Sequence, residues 1–283
     1  MAALFVNHLT VLDFSYVHRE RGILGESWIV DLELHGDLNQ EGMVFDFAEV
    51  KNRVREAVES LFDHKLLVAS QMDSMTVDQD QQQLTLSWKD VQGQQYRYQA
   101  PSCALALVDT VEITPEVMVP LLHQACKGAL PNNVKDLKIT LRTEEISGAN
   151  YHYSHGLKKH QGDCQRMAHG HRSRLKILRN GKRDPLLEKA WALKWKDIYL
   201  GTREDLTASF NEDGHDYCTF QYQAAQGLFE LTLPQKSVYL IDSDTTVELL
   251  AQHMADHLKQ DDPEHSFEVR AYEGVMKGAI AFS

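Results

Sequence analysis

Cysteine is scarce in this 283-residue chain: Cys103, Cys126, Cys164 and Cys218 stand far apart. Without a secretory signal such spacing reads as thiols, not as a disulfide framework. Long apolar runs are also missing. No stretch approaches the ~18 residues of a membrane-spanning helix, which excludes a helical span. The opening segment from Met1 to Phe14 is apolar but broken by Asn7, His8 and Asp13. It lacks the cationic lead of a signal peptide, so a cytoplasmic location is expected. Positive charge is in short supply, with 29 Lys and Arg against 41 Asp and Glu and a net charge of −12. That balance argues against a nucleic-acid partner, which needs a basic face. What remains is an ordinary globular composition, 43% hydrophobic and 25% charged, in a length that suits two domains of about 140 residues.

The periodicities run through one order of elements and then repeat it. Leu4 to Val17 is rich in β-branched and aromatic residues, and Ser27 to Leu34 alternates, so two antiparallel strands are expected. After Gly42, Phe47, Val50, Val54, Val58 and Leu61 fall at helical spacing. Gln81 to Gln99 reads as a hairpin turning at Gln92-Gly93. Thr114 to Ala129 reads as a helix with Thr114 as N-cap and Pro115 in its first turn, and Asp136 to Thr143 as a strand. Downstream come a strand ending at His155, a strand at Ser173 to Leu178 and a helix at Pro185 to Trp195. A hairpin follows at Thr219 to Leu233, then a helix at Thr246 to Lys259 and a strand at Phe267 to Ala271. The spacings Gly93–Pro101–Glu116 and Gly227–Pro234–Glu248 agree to within one residue, and each Glu opens a helix. Internal duplication is the economical reading, with halves at 1–148 and 149–283. The near absence of a linker suggests that the last strand of one half runs on into the first strand of the next.

Chemistry concentrates between Tyr151 and Arg183. His169 and His171 flank a glycine; on an extended strand their side chains share a face. His155, from a paired strand, completes three imidazoles and leaves a fourth tetrahedral position open, as a catalytic zinc ion requires. The alternative, an H-x-H pair with no metal, stays open on spacing alone. His152 and His160 read as solvated surface residues. Cys164 sits among positive charges that favour a thiolate, or else is an inert buried thiol. Nine Lys or Arg against the single acid Asp163 suggest an anionic substrate, unless acids from elsewhere balance them.

These residues resemble the 6-pyruvoyl-tetrahydropterin and 6-carboxytetrahydropterin synthases: a His after a first strand, then a Cys, then His-Gly-His opening a second strand. The first half adds GMVFDFAEVKNRVREAVESLFDHKLL, similar to the family's helix and the Asp-His that follows it. Thr114-Pro115-Glu116, Thr246-Val247-Glu248 and Glu273 to Ile280 echo further motifs. The resemblance implies an α+β protein of tandem T-folds, each a four-stranded antiparallel sheet with two helices on one face, plus an inserted hairpin. It implies zinc on His155, His169 and His171, Cys164 as proton-abstracting base with Asp63 and His64 as relay, and Glu273 as anchor for the pterin ring. The implied substrate is 7,8-dihydroneopterin triphosphate, the implied assembly a trimer or a dimer of trimers, and the carboxy product is favoured over the pyruvoyl one. A non-catalytic T-fold protein that binds a pterin or purine is the rival. In the first half the His-Gly-His position reads Leu24-Gly25-Glu26, leaving His18 without companions; in the second the Asp-His position reads Asp197-Ile198. One complete site per chain, divided between the halves, is therefore expected.

Overall fold

A computed structural model describes residues 1–80 and 82–283. The first half runs β1 (Ala2–His18), β2 (Gly22–Gly36), α1 (Phe47–Glu49), a π-helical turn (Val50–Val54), α2 (Arg55–Phe62), β3 (Leu66–Ala69), β4 (Thr76–Asp80), β5 (Gln83–Lys89), β6 (Gln95–Pro101), β7 (Leu105–Val108), α3 (Pro115–Cys126) and β8 (Val134–Thr143). The second runs β9 (Asn150–His155), β10 (His169–Arg179), β11 (Lys182–Arg183), α4 (Pro185–Lys194), β12 (Ile198–Thr202), β13 (Leu206–Glu212), β14 (His215–Ala224), β15 (Gly227–Pro234), β16 (Val238–Ile241), α5 (Val247–Asp261), β17 (Phe267–Tyr272) and β18 (Gly278–Phe282). Strand and helix expectations fall on these elements; the hairpin's first residue, Gln81, lies outside the described residues. Asp46 caps α1 through Ala48 and Glu49, and Asp184 caps α4 ahead of Pro185, so local chemistry starts the helices where the sequence says. Thr114 precedes α3 without a side-chain cap bond.

The sheets differ from the four-stranded antiparallel expectation. One has five strands in the order β7-β3-β1-β2-β8, and its β1–β3 and β3–β7 pairs are parallel. The second-half sheet runs β16-β12-β9-β10-β17-β18, with β11 beside β10. The extra parallel strands arise because the chain returns after each first helix along the open edge of the first hairpin, where unpaired N–H and C=O groups need partners. Nor is there a continuous strand between the halves: β8 ends at Thr143 and β9 starts at Asn150.

The hairpins are not separate inserts. They join edge to edge, β15 against β6, in a six-stranded sheet β13-β14-β15-β6-β5-β4 drawn from both halves. One apolar cluster lies beneath it, mixing Leu86, Tyr98 and Leu66 with Phe220, Leu231 and Tyr199. Burying such side chains is worth ~1.5–3 kcal/mol each, so this shared sheet binds the halves together.

A local two-fold relation organises the rest. Ser15 lies opposite Gly25 in the β1–β2 ladder, and Ser154 opposite Gly170 in the β9–β10 ladder. The two serine hydroxyls meet at 2.6 Å. A Cβ on Gly170 would come 2.8 Å from the Gly25 Cα, and one on Gly25 would come 1.9 Å from the Tyr153 carbonyl oxygen. Only glycine permits this crossing.

Candidate metal centre

The β9–β10 register puts His169 directly across from His155 and His171 across from Tyr153. The pleat then turns all three histidines to one face. Each is 0–1% exposed, and they offer ligand nitrogens within 4.8 Å of one another. Their hydrogen bonds decide which nitrogens are free. His155 Nδ1 lies 3.1 Å from the Thr245 carbonyl and His169 Nδ1 2.8 Å from that of Arg166. A carbonyl only accepts, so each Nδ1 donates and each Nε2 keeps its lone pair. His171 Nδ1 sits 3.1 Å from Asp13 Oδ1, at an angle that makes an ion contact but no hydrogen bond. His155 Nε2 and His171 Nε2 are buried with no hydrogen-bond partner. Orphaned buried acceptors are costly; these two, with a nitrogen of His169 in the same cluster, fit a tetrahedral cation with one position open. Burial holds the pKa of both His155 and His169 well below the ordinary imidazole value, so they are neutral, as metal ligands must be.

Asp13 is the outer partner of this set, and it comes from the other half of the chain. Burial alone would raise its pKa, but His171, Lys277 at 3.1 Å and the Ser27 hydroxyl at 2.5 Å outweigh that and hold it well below the carboxylate range. A carboxylate behind a ligand histidine fixes the ring and raises its basicity.

Asp63, His64 and Cys164, expected from the resemblance to handle protons, lie beside the histidines, again across the halves. Asp63 Oδ2 is 2.7 Å from His64 Nδ1, and the His64 ring faces both Cys164 and His169, with 5.1 Å between its centroid and that of His169. His64, Cys164 and His169 thus form a second set close enough to share a metal. Its members are already engaged with one another and with Asp63, so the three buried histidines are the better cage. His64 takes a left-handed backbone, φ 53°, and donates its N–H to the Asp13 carbonyl at 2.7 Å. A non-glycine residue held there carries strain that recurs at functional positions. Glu273, on the β17–β18 turn, places Oε1 4.0 Å from His171 Nε2. All seven residues expected from the sequence therefore meet in one place within one chain.

The two-fold relation shows what became of the other position. Tyr16, Leu24 and Glu26 stand where the second half has His155, His169 and His171. His18 lies two residues further on, opposite Gly22, so it is not the counterpart of His155. Asp197, with φ 59° and its N–H on the His152 carbonyl at 2.9 Å, matches His64; Lys196 therefore replaces Asp63, one residue off the sequence alignment. His152 matches Asp13 and is no solvated residue: its side chain is mostly buried, and Nδ1 lies 2.7 Å from the Gly25 carbonyl. The basic segment is mostly neutralised too. Lys158, Lys159, Arg166, Arg174, Arg179 and Arg183 each pair with an acid, which favours the balanced reading over a substrate patch.

A family model described as 6-pyruvoyl tetrahydropterin synthase matches the chain twice, over residues 8–152 and 145–281. The chain belongs to this family, as a tandem duplication of its module. A curated relative from Pyrococcus horikoshii, whose assignment as a 6-carboxy-5,6,7,8-tetrahydropterin synthase is itself provisional, is 22% identical over 135 residues. That match covers 46% of this chain and 74% of the relative. Among solved structures, 6-pyruvoyltetrahydropterin synthase from Plasmodium vivax matches with a TM-score of 0.41 at 17% identity, and the Plasmodium falciparum enzyme with 0.38 at 14%. Each covers 50% of this chain and 90% of its own.

The Cys164 loop is held by the shared sheet, a contact that local sequence patterns do not announce. Gln226, at the β14–β15 turn, accepts from Arg166 Nε at 3.0 Å and donates to Asp163 at 2.8 Å, while the Gln165 side chain takes the Gln226 N–H at 2.7 Å. Tyr222 donates to the Gln165 carbonyl, and Tyr98 to that of Met167. Gln226→Ala is expected to lower turnover on the order of 10-fold by loosening Cys164, with zinc content, measured by elemental analysis, unchanged. Lost zinc would show that the turn supports the histidines instead.

A pH signature follows from His64. Burial would lower its pKa, but Asp63 and Cys164 outweigh it and raise it from 6.5 to about 10. A raised folded pKa means that the stabilisation is complete below pH 6.5 and fades as pH rises toward 10. Urea unfolding at pH 7 and pH 10 is expected to show a loss on the order of a few kcal/mol in the wild type that His64→Gln largely abolishes. Equal losses in both proteins would refute the shift.

Proposed function

We propose that this protein is a zinc-dependent carbon–oxygen lyase that eliminates triphosphate from 7,8-dihydroneopterin triphosphate, as a 6-carboxytetrahydropterin synthase does. The observation that carries the reading is the meeting, inside one chain, of Asp63-His64 from the first half with Cys164, three histidines and Glu273 from the second. Zinc would be held by His155, His169 and His171 and would supply Lewis-acid polarisation of the substrate's side-chain oxygens. Cys164 Sγ takes the proton from the side-chain carbon beside the pterin ring. His64, held charged by Asp63 at neutral pH, lies beside the Cys164 sulfur and gives up a proton in the second transfer. Glu273 accepts hydrogen bonds from the ring nitrogens and fixes the face presented to Cys164. The electron pair left at that side-chain carbon passes into the ring, its hydroxyl becomes a carbonyl, and loss of a proton from the next carbon then expels triphosphate from the terminal one. For the carboxy product, water adds to the carbonyl and the outer two carbons leave as acetaldehyde. The carboxy product is preferred because the curated relative carries that description.

The organisation proposed is two modules, 1–148 and 149–283, in a cytoplasmic homo-oligomer of three chains or twice that number. Among the described residues no helix is long and apolar enough to cross a membrane. The edge strand β18 leaves Ile280 and Phe282 51% and 67% exposed, an edge that another chain can cover. Light scattering is expected to give at least three chains per particle, and a monomer at micromolar concentration would defeat the assembly. Mass spectrometry of products after incubation with 7,8-dihydroneopterin triphosphate tests the function. Release of triphosphate with a 6-carboxy pterin supports it, whereas bound but unchanged pterin would favour the binding-module rival.

A further inference from the structure

The two-fold relation pairs two clefts as well as two site positions. One, of ≈ 500 Å³, carries Glu56, Glu59, Asp63 and Asp163, with Arg55 its one cation. The other, of ≈ 520 Å³, carries Arg21, Arg183, Lys189 and Lys196, with Glu188 its one carboxylate. They are the same place in the fold. The series Arg55, Glu56, Glu59, Asp63 along α2 is repeated at identical spacing by Glu188, Lys189, Ala192, Lys196 along α4. Duplication thus produced two equivalent clefts of opposite charge.

Exposed lysines on a helix are usually no more than a solvated face, but three features set this cleft apart. Lys189 and Lys196 have no carboxylate partner among the described residues, although the protein is acidic overall, with a net charge of −12. Arg21 and Arg183 are held rigid by two-pronged bonds to Asp197 and Glu188, leaving further N–H groups to present. Beside the polar Asn150 and His152, the lining has an apolar side: Ala149, Tyr151 and Ala192 are largely buried in it, and Leu193 stands 63% exposed. Free cations and an uncovered leucine in one concavity fit a ligand that is both anionic and flat. A bare phosphate would leave the leucine wet, and a neutral ring would leave the lysines unused.

We propose that the cleft between α4, the start of β9 and the turn at Arg21 is a second ligand site that takes an aromatic phosphate ester. It lies across the two-fold from the three histidines and does not depend on the chain being a lyase.

Calorimetric titration of the zinc-loaded full chain tests this, with GMP as the probe, and guanosine and inorganic phosphate as its parts. GMP is expected to bind, each part at least 10-fold more weakly, and Lys189→Glu with Lys196→Glu to weaken GMP at least 10-fold. Glu56→Gln with Glu59→Gln, in the acidic twin, and His169→Ala, in the metal site, are expected to leave GMP binding intact. Circular dichroism checks folding; should the double reversal unfold, Lys189→Ala and Leu193→Asp take its place singly. The proposal falls if GMP does not bind at millimolar concentration, if binding survives the reversal, or if His169→Ala removes it. Phosphate binding as tightly as GMP overturns the ring component.

Discussion

His169→Ala is expected to strip the chain of zinc and to reduce turnover to background, the largest effect available from one substitution. His169 belongs to both candidate ligand sets, so no rearrangement within this cluster replaces it. Its ring is fixed by the Arg166 carbonyl, and its burial keeps it neutral, so the wild-type nitrogen needs little reorganisation to bind a cation. Elemental analysis of the wild type is expected to give one zinc per chain, because the equivalent position holds Tyr16, Leu24 and Glu26, which offer no imidazole. Metal bound to the folded state alone also stabilises it, by roughly 4 kcal/mol at a thousandfold excess over Kd. The wild type should therefore lose thermal stability on chelation, and His169→Ala should not respond to chelator. Two zinc ions per chain, or a variant that keeps its zinc, would place the metal elsewhere.

Local order was legible because local rules govern it. The alternation of Ser27 to Leu34 and the apolar spacing from Phe47 to Leu61 each needed only a window of residues, and the structure puts β2 and the α1–α2 segment there. His169 and His171 could be read for the same reason, since the pleat alone sends both to one face. Asp13 could not. It is an acid in the interior of an apolar strand, which hints at a buried role, but its partner His171 lies 3.1 Å away across a contact between the halves. Edge pairing of β15 with β6 is equally silent in the sequence, because each hairpin reads as complete and only the shared apolar cluster joins them.

Register errors have a physical source as well. His18 looks like a counterpart of His155 by its place at the end of a strand. The tight turn from Arg19 to Arg21 makes the first ladder longer, and Ser15 opposite Gly25 then sets Tyr16 in that position. Asp197 looks like Asp63 by residue type, yet its backbone conformation and its bond to the His152 carbonyl make it the equivalent of His64. At the equivalent position, therefore, Tyr16, Leu24 and Glu26 stand in place of the imidazoles, and Lys196 and Asp197 in place of Asp63 and His64. Burial lifts the Glu26 pKa to about 7, a poor property for a cation ligand near neutrality.

Complementary loss leads to the second large effect. His64→Ala is expected to lower turnover by about 10² or more, the scale for losing a proton-transfer partner, while zinc content and particle size stay as in the wild type. Its ring contacts His169 but supplies none of the three buried ligand nitrogens, which is why metal and turnover should separate. A purely structural part for Asp63 and His64, ending α2 and turning the chain into β3, predicts lost stability with turnover per folded chain preserved. Mixing experiments distinguish the geometry further. Sites built between chains would let a His64→Ala chain and a Cys164→Ala chain restore each other in a mixed oligomer. Here His64 faces Cys164 of its own chain, so each mixed particle still holds only sites with one member missing. No activity above the sum of the separate variants is therefore expected. Restored activity would mean that the working site forms between chains, and wild-type turnover in His64→Ala would leave the first half a structural partner alone.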